Sequence, residues 1–248
     1  MRTFKLTLAY VGTNFAGWQS QVAQRTVQVV LQQTLAKITR QKDVHAIASG
    51  RTDAGVHALG QVVSVVLDWE RPAETLQRAL ASELPRDLVV IDAEEAPPDF
   101  HAITSATGKQ YQYRIHDGRV ADVFRRQYTW HCFTQLDDAA MHCAAQALAG
   151  RHDFSSFEAT GSPRRSSVRT ISHISVSRDT DHEHLIYIDV SADGFLYKMV
   201  RTIVGSLVEV GRGTQDESWI GQILAQQDRN AAGPTSPSQG LFLVKVDY

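Results

Sequence analysis

A chain of 248 residues with 43% hydrophobic and 21% charged side chains can bury a sizeable core and has a globular rather than a disordered balance. Its net charge of −2 excludes a nucleic-acid binder that grips by bulk charge, so phosphate contact has to come from local patches. No apolar run approaches the roughly 20 residues that span a bilayer, and two cysteines, Cys132 and Cys143, need no structural disulfide, so the expected location is the cytoplasm, away from the membrane.

Along the chain, Phe4, Leu6, Leu8 and Tyr10 alternate with Thr3, Lys5, Thr7 and Ala9, which predicts a half-buried strand. Val27, Val30, Leu31, Thr34, Leu35 and Ile38 recur at helical spacing. Residues 44–48 and 61–67 read as strands, with 49–60 as the loop between them. Pro72 suits the first turn of a helix carrying Ala73, Leu76 and Leu80, and residues 88–91 make a short strand. This β-α-β-β-α-β order is ferredoxin-like, an arrangement that RNA-recognition modules also use.

The second half opens on a strand with Tyr111, Tyr113 and Ile115 alternating. Asp137 is placed to cap a helix, with Leu136 and Met141 as a hydrophobic staple. Residues 151–168, with Gly161, Pro163 and several serines, read as a long surface loop. Strands follow at 171–178 and 185–190. A helix then carries Leu196, Met199, Val200, Ile203, Val204, Leu207 and Val208 on one face, and a shorter one covers 217–226. A loop with Gly233, Pro234 and Pro237 leads to a closing strand at 241–246. The fold class is α+β in two similar halves, residues 1–105 and 106–248.

Candidate chemistry centres on Ser49-Gly50-Arg51-Thr52-Asp53-Ala54-Gly55-Val56-His57-Ala58-Leu59-Gly60. Three glycines let another molecule approach the backbone closely. A carboxylate beside a guanidinium stays ionised, which suits a nucleophile or a base. Residue types alone, however, are those of any glycine-rich turn. Two basic patches are candidates for RNA backbone contact. One holds Arg164, Arg165, Arg169 and Arg178; the other holds Lys109, Arg114, Arg119, Arg125 and Arg126 against Asp117 and Asp122, with Tyr111 and Tyr113 interleaved. The run Asp181-His182-Glu183-His184 lacks the paired spacing of a structural zinc site and reads as a solvated turn, so no metal is expected.

The wider pattern decides between these readings. The string Gly50-Arg51-Thr52-Asp53-Ala54-Gly55-Val56-His57-Ala58 resembles the signature of the tRNA pseudouridine synthase A family. The opening Tyr10-Val11-Gly12-Thr13-Asn14-Phe15-Ala16-Gly17-Trp18-Gln19, the segments Phe100-His101-Ala102 and Tyr111-Gln112-Tyr113-Arg114, the helix from Gly194 through Arg201, and the end from Gly240 to Tyr248 also resemble it, in order. The resemblance implies two ferredoxin-like, RRM-like halves joined in one continuous, mainly antiparallel sheet with a central cleft. The first would carry the catalytic Asp loop, the second the active-site Tyr strand and a dimer interface. It implies an isomerase that converts uridine to pseudouridine at positions 38, 39 and 40 of tRNA, as a homodimer without cofactor. A uridine stacked in a helix has to be flipped out to be reached.

By that resemblance Asp53 is the catalytic carboxylate, as nucleophile or base, and Arg51 holds it ionised or fills the space of a flipped nucleotide. Tyr111 is a stacking platform and a proton acceptor at most second, because a phenol near pKa 10 is a poor base. Leu241 lies against the uracil, and Arg201, Arg164, Arg165 and Lys109 are substrate contacts. His57 is read as a hydrogen-bonded loop brace rather than an acid or base. The chain departs from the family pattern at Val11, at Ile103 and Thr104, and at Lys109-Gln110, where guanidinium forks are replaced by weaker phosphate partners.

Overall fold

The computed structural model describes residues 1–161 and 166–248, so Arg164 and Arg165 lie outside the described residues. In chain order the elements are β1 (Arg2–Tyr10), α1 (Val27–Thr39), β2 (Ala46–Ala48), β3 (His57–Leu67), α2 (Ala73–Glu83), β4 (Leu88–Ala96) and β5 (Gly108–His116). They continue with β6 (Trp130–His131), α3 (Asp138–Ala145), β7 (Gly150–Asp153), β8 (Val168–Arg178), β9 (Leu185–Ala192), α4 (Met199–Gly211), α5 (Trp219–Gln226) and β10 (Leu241–Asp247). Two compact α+β units result: Met1–Thr107 with Phe242–Tyr248, and Gly108–Leu241.

In the first unit β1 lies between β3 and β4, antiparallel to both, while β2 pairs antiparallel with β3 and β10 pairs parallel with it. Alternate β1 residues Phe4, Leu6 and Leu8 are fully buried, as are Leu31 and Leu35 of α1 and Leu76 and Leu80 of α2. Each such side chain contributes about 1.5–3 kcal/mol by leaving water. Thr26 starts α1 by accepting from the Val29 amide, and Arg40, in left-handed conformation, ends it. On the opposite face Lys5 pairs with Ser64, whose hydroxyl accepts from the Ala102 amide at 3.2 Å. Tyr248 donates to the Ala102 carbonyl at 2.9 Å, which binds the Phe100-His101-Ala102 segment to the sheet. Ile103 is 53% exposed and Thr104 is exposed as well, so these two departures cost the core nothing.

Strand β3 begins at His57, so the last four residues of the expected 49–60 loop are strand. The cause is distant in sequence: β10 runs alongside, Phe242 opposite His57 and Leu243 opposite Ala58. A Cβ at Gly60 would come within 2.5 Å of the Val244 carbonyl oxygen, so this approach requires glycine.

In the second unit β9 lies between β5 and β8, β8 also pairs with β7, and all these pairings are antiparallel, whereas β6 runs parallel to β5. Residues 151–157 differ from the expected surface loop. Gly150–Asp153 pairs with β8, and Phe154, Ser156 and Phe157 are fully buried. The serines that look like loop composition include a structural one, because Ser156 donates to the Ile223 carbonyl at 2.7 Å. Asp137 caps α3 as expected, accepting from the Ala140 amide at 2.9 Å. Every residue of α4 except Arg201 and Glu209 is buried. Its Gly205 touches the loop at Pro234, where a Cβ would stand 1.7 Å from the carbonyl oxygen.

Candidate active site

The loop leading into β3 is fixed from both ends by buried neutral hydrogen bonds. On the near side Gln61, fully buried, accepts from the Ser49 hydroxyl at 2.8 Å and donates to the Gly50 carbonyl at 2.9 Å. At the centre the Tyr10 and Thr52 hydroxyls meet at 2.8 Å, and burial pushes the Tyr10 phenol up to about 12. On the far side His57 accepts the Gly12 amide on Nδ1 at 3.1 Å and stacks on Phe242 with centroids 4.6 Å apart. This contact requires the neutral ring with its proton on Nε2, the brace expected from sequence.

Two glycines bring the opening segment onto the loop backbone. A Cβ at Gly12 would fall 2.0 Å from the Val56 carbonyl oxygen, and one at Gly17, with φ +91°, 2.7 Å from that of Thr52. The Trp18 amide donates to that same Thr52 oxygen at 3.0 Å, and the Val56 amide closes a turn onto Asp53 at 3.1 Å. Asp53 is half-buried on this turn and Arg51 is exposed. Among the described residues no ion pair engages Arg51.

The second unit holds Tyr111, Lys109, Arg201 and Leu241. Tyr111, 9% exposed, pairs with Val190 and meets the edge of Phe195 at 5.0 Å and 87°. Lys109 is half-buried opposite Ala192. Arg201 Nε donates to the Ser236 carbonyl at 2.8 Å, and the Ser236 amide donates back to the Arg201 carbonyl at 3.0 Å. Tyr113 donates to the Pro237 carbonyl at 2.7 Å, its phenol pushed up by burial. Gly240 lies against that ring, where a Cβ would come within 2.6 Å. These ties fix the 236–240 segment directly before Leu241, which is 6% exposed.

The chain matches the sequence profile of the tRNA pseudouridine synthase family over residues 7–104 and 144–248. The chain belongs to that family. A tRNA pseudouridine synthase A of Moorella thermoacetica is 47% identical over 250 residues, covering 100% of both chains. One from Limosilactobacillus fermentum is 43% identical, covering 100% of this chain and 96% of the relative. One from Lacticaseibacillus casei is 44% identical over the full length of both. The protein is therefore a tRNA pseudouridine synthase, an isomerase.

Within this synthase the arginine patches divide. Arg178 is spent internally: its guanidinium pairs with both oxygens of the fully buried Asp117 at 3.0 and 3.1 Å and with Asp138 at 2.8 Å. It is a core anchor and corrects its reading as an RNA contact. Arg169 donates to the Ser166 and Val168 carbonyls, and Arg125 pairs with Asp122 at 3.1 Å. Asp179 accepts the Asp181 and His182 amides, so the 181–184 run is a side-chain-closed turn. Among the described residues no group of three His, Cys, Asp or Glu is arranged to hold a metal ion. The Phe195 ring set at right angles to Tyr111 and the Gln61 clamp are structural supports that sequence reasoning missed. A long polar side chain, Gln61, at the start of a mostly apolar strand is the signal that could have found the latter.

Proposed function

We propose that this synthase converts uridine to pseudouridine in the anticodon arm of tRNA, at positions 38, 39 and 40, with Asp53 as the catalytic carboxylate. The observation that carries the reading is the half-buried Asp53 on a turn whose flanks are tied by Tyr10, Gln61 and His57. Ties of that kind keep a reacting group in one orientation, which a positioned reaction requires.

The isomerisation breaks the bond between N1 and C1′, turns the uracil and joins C5 to C1′. C5 gives up its proton and N1 gains one. Nothing is oxidised, and no group is added or lost, so the reaction needs no cofactor. Asp53 serves as nucleophile or as base. Arg51, exposed and without an ion pair among the described residues, suits the space left by a flipped nucleotide. Tyr111 stacks on the extruded base, backed by Phe195, and Leu241 lies against it. Arg201, Lys109, Arg164 and Arg165 contact the substrate. The working enzyme is a homodimer in the cytoplasm, the second unit supplying the interface.

Carbodiimide mapping of pseudouridine in tRNA transcripts retaining uridine singly at 38, 39 or 40 tests the site. Modification at each of the three is expected. Modification elsewhere with all three untouched overturns the anticodon-arm assignment.

A further inference from the structure

Strand β5 sets Tyr113 two residues from Tyr111, so the two side chains leave the same face of the sheet. The family reading gives Tyr111 the flipped base and gives Tyr113 no part. Tyr113 is fully buried, so it touches no RNA, and both its ring and its hydroxyl are spent on one segment. The hydroxyl donates to the Pro237 carbonyl at 2.7 Å, and the ring fills the space where a Cβ at Gly240 would stand, 2.6 Å from the ring carbons. Between those two contacts lies a single 3₁₀ turn, Ser238–Gly240, which the Leu241 amide closes by donating to the Ser238 carbonyl. A turn this short makes poor hydrogen bonds of its own, so its position is set by what holds its ends. Burial pushes the Tyr113 phenol up from its ordinary range, so the hydroxyl keeps the proton it donates.

We propose that Tyr113 is a positioning residue for the isomerisation, setting Leu241 against the uracil through the 237–240 turn. The inference rests on the reading of Leu241 as an apolar contact of the base and adds the residue through which that contact is placed. Strand β5 then serves the base twice, through Tyr111 directly and through Leu241 at one remove. The hydroxyl is the part that matters, because a phenylalanine ring would fill the space beside Gly240 equally well. Without it the Pro237 carbonyl loses its partner, while Arg201 still holds the Ser236 carbonyl at 2.8 Å, so the turn loosens at one end and the fold is kept. A displacement of about 1 Å in a positioning group is enough to slow a reaction by up to about a hundredfold.

The test is single-turnover pseudouridine formation in whole unmodified tRNA at saturating enzyme. Its rate constant is read from folded, tRNA-bound molecules alone, so lost stability does not pass for lost rate. Tyr113→Phe is expected to slow the step about tenfold, with tRNA affinity within about twofold of wild type. Ser156→Ala removes an equally buried hydroxyl that donates to a carbonyl at the same 2.7 Å, and should lower the melting temperature while leaving the rate at the wild-type value. Leu241→Ala should be slow by itself. Adding Tyr113→Phe to it should cost less than about twofold more, because the side chain that Tyr113 places is gone. A wild-type rate in Tyr113→Phe beside a slow Leu241→Ala sinks the inference alone. Penalties that multiply in the double variant, or equal slowing by Ser156→Ala, overturn it as well, the first by placing the effect elsewhere and the second by making it general packing. A wild-type rate in Leu241→Ala sinks it together with the reading of Leu241.

Discussion

The loop at 49–56 and the connection at 117–129 both leave a sheet, both carry arginines, and are held in opposite ways. The first is clamped by neutral groups: Tyr10 on Thr52, Gln61 on Ser49 and Gly50, and Gly12 on His57. The second is anchored by charge and titratable rings. Asp117 is buried on Arg178, and His116, 9% exposed with its Nδ1 unpartnered, lies against His131 and His184 at ring separations of 5.4 and 6.0 Å. A clamp of uncharged groups is indifferent to salt, whereas a charged anchor is not. The difference separates a loop held by uncharged contacts from a connection held by an ion pair and packed rings.

The largest effect should come from breaking the charged anchor. Asp117→Ala leaves Arg178 without its buried partner and is expected to cost about 3–5 kcal/mol in urea unfolding. A loss under about 1 kcal/mol would remove the anchor from the account. Next, Gly12→Ala drives a methyl into the Val56 carbonyl, 2.0 Å from the Cβ position. A loss of about 3 kcal/mol is expected, because neither backbone has room to give. Single-turnover rate should fall with it even where the variant is fully folded.

Alkaline pH probes the neutral clamp. The buried Tyr10 phenol is raised to about 12 from an ordinary value near 10, so its contribution is intact below pH 10 and is lost as pH rises towards 12. That share amounts to about 2–3 kcal/mol. In Tyr10→Phe the alkaline limb of the stability curve should be shallower. Tyr113, raised by the same cause, keeps part of the limb in place.

The smallest effect lies at acid pH. Burial foremost, with His131 and His184 adding, lowers the His116 pKa, while Asp117 and Asp122 oppose the shift. The unfolded chain then takes up the proton first, so stability from this group falls as pH drops below about 6.5. Hydrogen exchange at the 117–131 amides should quicken in that range, and His116→Phe should remove the quickening; an unchanged acid response in His116→Phe would take His116 out of the account.

Much of this architecture is legible in the sequence because it is local. Alternation locates β1, the stripe Val27, Leu31 and Leu35 locates α1, and Asp137 marks the start of α3. What escapes is set by residues far apart. The early start of β3 depends on Phe242 and Leu243, and the burial of Phe154 and Phe157 under a serine-rich stretch depends on α5 through Ser156 and Ile223. Arg178 shows the limit for charge: its sequence neighbours carry no sign of Asp117, 61 positions away. The signature string marks the Asp53 loop, but the Tyr10 and Gln61 clamps become visible only when β1 and β3 lie side by side.

The central claim is that the clamped loop exists to hold the Asp53 carboxylate against a uridine. Single-turnover release of tritium from C5-labelled uridine in whole unmodified tRNA tests it, comparing wild type with Asp53→Asn at saturating enzyme and with tRNA affinity measured alongside. The account predicts release by wild type only, with affinity for tRNA retained in both. Release by Asp53→Asn at the wild-type rate would contradict it.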